Sequence, residues 1–144
     1  MAILWASTKY HLGDNPGVFQ DASYIGHHLK LPFRKAWLDP EASTVVLRVH
    51  TRDVETWGDC LGHKVSINER EIGRLKDTGD ASGDAEVFKL GIARSDIEKI
   101  LAGDDCFTLS IELDVGAAAP RISDDFVVTR IESDGTFAAK LGWK

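Results

Sequence analysis

Two stretches of strict alternation limit the fold of this chain more than any other feature. Across Thr44 to Val54, Val45, Leu47 and Val49 alternate with Val46, Arg48, His50 and Arg52. Across Cys106 to Val115, Phe107, Leu109, Ile111, Leu113 and Val115 alternate with Thr108, Ser110, Glu112 and Asp114. A β-strand sends successive side chains to opposite faces, so each stretch has one apolar face and one wet face. That pattern belongs to an antiparallel sheet with one side on a core. A parallel sheet is covered on both sides and reads as a continuous apolar run.

Shorter segments follow the same rule. Leu29, Leu31 and Phe33 alternate with His28, Lys30 and Pro32, and Pro32 donates no backbone hydrogen bond, so this strand ends there or lies at an edge. Val65 and Ile67 mark a strand before Asn68, and Ile72 to Leu75 returns from it. Phe88, Leu90 and Ile92 mark another, Phe126 to Glu132 is rich in β-branched residues, and Thr136 to Trp143 reads as a last, weaker strand. One segment breaks the period. Ser95-Asp96-Ile97-Glu98 has the form of a capping box, Ile97, Ile100 and Leu101 fall at helical spacing, and Gly103 can end the turn. The expectation is a helix near 95–102, too short to cross over between parallel strands. Short strands separated by Gly, Asp and Pro suggest an all-β fold, an antiparallel β-sandwich or a barrel. Three longer loops connect them, at Gly13 to Asp21, Asp53 to His63 and Lys76 to Asp84.

The 144 residues suit one domain, 1–144. With 43% hydrophobic and 28% charged residues the chain can bury a core. Seventeen Lys and Arg against 23 Asp and Glu give a net charge of −6, which argues against nucleic acid as the partner. No apolar run approaches the roughly 20 residues of a membrane span, so no membrane partner is expected. Met1 to Trp5 is apolar, but Thr8, Lys9, Tyr10 and His11 follow it, which leaves no signal-peptide pattern. Two cysteines, Cys60 and Cys106, are too few for a disulfide scaffold. Both observations point to a cytoplasmic setting.

Val65-Ser-Ile-Asn-Glu-Arg-Glu-Ile-Gly-Arg-Leu75 resembles the V-x-V-N-G-x-x-I-G-x-L hairpin of galactose-binding-domain-like jelly rolls, β-sandwiches that include many carbohydrate-binding modules. The order downstream is similar: a strand at Phe88 to Ile92, a helical turn ending at Leu101-Ala-Gly103, then Phe107-Thr-Leu-Ser-Ile111. Asp124-Asp-Phe-Val-Val128 resembles the D-D-F-x-I strand that closes such domains, so the resemblance covers about residues 44–132. Glu69 stands where the family has Gly, and Asp104-Asp105 where it has Asn. The resemblance implies a jelly-roll sandwich with loops at its ends, and often a structural calcium ion. Asp14, Asn15 and Asp21, with Asp124 or Asp125, are the calcium ligands it suggests.

Enzyme signatures are absent: there is no glycine-rich phosphate loop, no His-Glu-x-x-His, no Gly-x-Ser-x-Gly and no Cys-x-x-Cys. Non-catalytic binding is therefore the expectation. A sugar pocket combines an aromatic surface for the ring's C–H face with a few fixed polar groups. Trp57, with Arg52, Asp59 and His63 close in sequence, fits that description, and Tyr24 and Trp37 are further candidates. Trp57 beside Gly58 also suits a cap on the end of the core, and Trp5 and Trp143 suit pins for the ends of the chain. Cys60 and His63 have a spacing that can ligate zinc with Cys106 or His50, or pair as nucleophile and base. Asp77, Asp80 and Asp84 form either a hard-cation loop or a solvated one. His27 and His28, adjacent in a strand, would point to opposite faces. Two functions remain: a binding module for a carbohydrate, or a protein-interaction module on the same fold.

Overall fold

The structure, a computed structural model, describes residues 2–5, 9–38, 40–54, 62–76, 85–114 and 125–133. It is an all-β sandwich with one α-helix. The strands are β1 (Ala2–Trp5), β2 (Tyr10–Leu12), β3 (Ser23–Gly26), β4 (His28–Arg34), β5 (Thr44–Arg52), β6 (His63–Ile67), β7 (Arg70–Leu75), β8 (Ala85–Ala93), β9 (Cys106–Glu112) and β10 (Phe126–Ser133). Helix α1 (Arg94–Ala102) joins β8 to β9, and a single 3-10 turn, Lys35–Trp37, follows β4. The expected last strand at 136–143 lies outside the described residues.

One sheet is six-stranded in the order β3-β2-β10-β5-β8, with β1 also on β10; the other is four-stranded in the order β4-β9-β6-β7. All pairings are antiparallel except β2 with β3. Strand β5 takes one flank of β10, and β1 and β2 lie end to end along the other, at Ile131–Ser133 and at Phe126–Val128.

The alternations become the two inner faces. Val45, Leu47, Val49, Leu90, Ile92, Phe126, Val128 and Ile131 of the first sheet face Leu29, Leu31, Phe33, Val65, Ile67, Phe107, Leu109 and Ile111 of the second, all buried. Removing each such side chain from water contributes about 1.5–3 kcal/mol. Phe33 and Phe107, directly opposite on β4 and β9, bring their rings to 5.7 Å. Pro32 sits mid-strand, and β4 is accordingly an edge.

Helix α1 buries Ile97 and Ile100, but its start differs from the expected capping box. Ala93 is the N-cap, no side chain caps it, and Glu98 accepts from Arg94 Nε at 3.2 Å instead of reaching Ser95. The reason lies with Arg94, whose guanidinium also donates to the carbonyls of Pro40 and Ala42 and so fixes the first turn directly after β8. At the other end the Gly103 amide donates to Ile100, and Lys35 Nζ donates to the carbonyls of Leu101 and Gly103, a cation placed at the negative end of the helix. A second correction concerns His27, which lies in the turn between β3 and β4, so only His28 belongs to a strand.

The departure at Glu69 has a structural counterpart. Asn68 and Glu69 both have positive φ, 48° and 71°, the geometry of a two-residue hairpin turn that favours Asn-Gly. Asn68 suits its place: its amide donates to Thr108 O, and its Oδ1 accepts from the Thr108 amide at 2.8 Å. Glu69 carries the steric cost of a left-handed L-residue. Glu69→Gly is expected to raise unfolding stability by about 1 kcal/mol in urea titration. An unchanged midpoint would remove the strain assigned to this position.

Candidate functional site

The outer face of the four-stranded sheet is concave, and its shape follows from the alternation. Pairing aligns its outward residues in rows across the strands. One row runs His28, Glu112, Lys64, Arg74, and the next runs Lys30, Ser110, Ser66, Glu71. Short side chains occupy the middle strands of the second row and long ones its rim. The result is a hollow of about 520 Å³ lined by His28, Lys30, Lys64, Ser66, Asn68, Glu69, Thr108, Ser110 and Glu112. Hydroxyls form the floor, each able to donate and accept. Lys64 Nζ lies 3.4 Å from Glu112, while the side chains of His28, Lys30 and Ser110 have no hydrogen-bond or salt-bridge partner among the described residues.

Several residues singled out from the sequence gather elsewhere, where the segment after β2 folds back over the outer face of the six-stranded sheet. His11 is completely buried there. Its Nε2 donates to Asp125 Oδ1 at 2.7 Å, and its ring meets Phe19 and Tyr24 edge-on at 4.9 and 5.0 Å. Asp125 also accepts from the Asn15 amide at 3.1 Å. Asp14 pairs with His27 Nε2. Asp21 receives two parallel bonds from Arg52, at 2.8 and 3.0 Å, and the Arg52 guanidinium lies 5.4 Å from the centre of the Phe19 ring. The Arg52 bonds hold the Asp21 carboxyl below its usual range, and Asp21 in turn raises Arg52. Tyr24 donates its hydroxyl to Gly13 O at 2.6 Å.

Asp14, Asn15, Asp21 and Asp125 are thus neighbours, but each carboxylate is engaged by a different histidine or arginine. No group of three or more His, Cys, Asp or Glu side chains is placed to hold a metal among the described residues. Arg52 and Tyr24 belong to this cluster and stand apart from the concave face. His63 is fully buried: its ring stacks on Phe126 at 4.3 Å and 12°, and its Nδ1 accepts from the Asp114 amide at 3.0 Å. His50 bonds Glu132 on the outer face of the six-stranded sheet, and Cys106 is exposed at the start of β9, so His50, His63 and Cys106 occupy three separate places. Trp57, Asp59, Cys60, Asp124 and the aspartates at 77, 80 and 84 lie outside the described residues, as do Trp143 and the side chains of Trp5 and Trp37.

Sequence reasoning missed the lining of the hollow, although its residues are the polar half of the alternations it used. Thr108, Ser110 and Glu112 are the wet face of one alternation, and His28 and Lys30 belong to that of another. What a single strand cannot show is which other strand it pairs with and in which register. Without that, two serines in separate segments are not seen as one floor.

Among the described residues no helix is long and apolar enough to cross a membrane. No protein-family model, curated protein or solved structure matches this chain.

Proposed function

We propose that this chain is a non-catalytic binding module, of the galactose-binding-like jelly-roll type, that holds a carbohydrate on the concave face of its four-stranded sheet. The observation that carries this reading is the hollow itself, with a floor of Ser66, Thr108 and Ser110 and a rim of Lys30, Lys64, Asn68 and Glu112. A polyhydroxylated ligand both donates and accepts hydrogen bonds at closely spaced points. Hydroxyls and the Asn68 amide meet both needs, lysines only donate and Glu112 only accepts. The aliphatic stems of Lys30 and Lys64 offer apolar contact to a sugar's C–H face while their ammonium groups stay wet. The volume lies in the range of small-ligand sites.

Thermal-shift and calorimetric screening against mono- and oligosaccharides tests the reading, with Ser110→Trp as the blocking variant. Tryptophan is tolerated on a half-exposed sheet face, so the variant should fold while its indole fills the floor. The expected result is saccharide binding that falls at least about tenfold in the variant, equivalent to about 1.4 kcal/mol. Failure of every saccharide to bind, or affinity unchanged by Ser110→Trp, would overturn it.

A further inference from the structure

Among the described residues five strands have a free edge, and four of them are short, shifted or interrupted by proline. Strand β4 carries Pro32, β7 pairs with a register shift, and β1 and β3 are only 4 residues long. Strand β8 differs. It runs for 9 residues, pairs with β5 without any register shift, contains no proline, and has no strand beyond it among the described residues. An edge of this kind presents a row of free backbone donors and acceptors.

The outward side chains show what a strand placed there would carry. Row by row across the six-stranded sheet, Glu132 is followed by Arg48 and then Lys89, and Arg130 by His50 and then Val87. The first row reads minus, plus, plus. Lys89 is exposed, stands directly opposite Arg48, and has no ion-pair partner among the described residues. Like charges opposite each other destabilise a sheet, and an acid on the next strand would continue the alternation. Val87 is an exposed large hydrophobic at 48%, and a Cβ added at Gly91 would meet nothing within 4 Å. The position next to Lys89 thus asks for a carboxylate, the one next to Val87 for a β-branched residue, and the one next to Gly91 for a large ring to cover bare backbone.

We propose that β8 is a docking edge for an extended acidic segment of a partner protein, added as an antiparallel strand with the pattern aromatic, any residue, acid, any residue, β-branched. Main-chain hydrogen bonds hold such a strand, and the alternate side chains select it. The docking edge is a different surface from the saccharide hollow.

The test uses the full chain and two fluorescent peptides, Thr-Phe-Thr-Glu-Thr-Val-Thr and the same peptide with Lys in place of Glu. Binding is followed by polarisation and located by amide chemical shifts. The glutamate peptide should bind, with shifts concentrated at residues 85–93. Lys89→Glu should weaken it by about fivefold and should favour the lysine peptide by a similar factor. Lys89 is exposed, so the variant should keep its fold, and the peptide swap tests the charge without altering the protein. Absence of binding, shifts centred on the concave face, a preference unchanged by Lys89→Glu, or β8 edges already paired in a homodimer would each overturn the proposal.

Discussion

Phe126→Ala is expected to remove about 3–5 kcal/mol of unfolding stability and to lower the melting temperature by about 10 °C. The ring is fully buried, so its loss removes both its transfer free energy and the contacts of a cavity that the sandwich cannot collapse around. The position adds to the effect. Phe126 opens β10 opposite Leu12 of β2, and its ring is the platform for His63, which starts β6 in the other sheet. A typical domain has only about 5–15 kcal/mol in total, so this one change takes a large share. Urea unfolding of the variant measures it. A loss under about 1 kcal/mol would mean that this end of the core packs differently.

His63→Ala is expected to cost about 3 kcal/mol, from lost stacking of a buried ring and from a half-buried Asp114 amide left without its acceptor. Two further variants separate these parts. His63→Asn keeps an acceptor near the position of Nδ1 without the ring, and His63→Phe keeps the ring without the acceptor. Each should recover part of the loss. The combination with Phe126→Ala should cost less than the sum of the single changes, because the two rings touch. Stability unchanged in His63→Ala together with loss of ligand binding would reverse the assignment and make His63 a contact residue.

The strands that were legible in the sequence are those whose environment is two-sided. β4, β5 and β9 have an apolar inner face and a largely polar outer one, so the period-two pattern shows them directly. The first part of the chain was harder to read. β2 and β3 have 3 and 4 residues, too few for a period, and β3 joins the sheet by the one parallel pairing. In the sequence His11 is one polar residue among several. Its complete burial depends on Phe19 and Tyr24 folding over it and on Asp125, over a hundred residues away, accepting its hydrogen bond. Local propensity carries no trace of such a contact. The capping box failed for a related reason: Ser95 and Glu98 have the right spacing, but Arg94 finds carbonyls at Pro40 and Ala42 that only the tertiary fold supplies.

The place of β10 also bears on how the chain acquires its structure. It is the last described strand, yet β1, β2 and β5 all hydrogen-bond to it. During synthesis β1 therefore emerges without a strand partner, and β2 with β3 alone, until β10 follows more than a hundred residues later. Their closure is among the most non-local events in the fold, which favours slow folding. Until β10 arrives, its future neighbours expose unpaired edges, so nascent or truncated chains ending before residue 126 are the forms most exposed to aggregation.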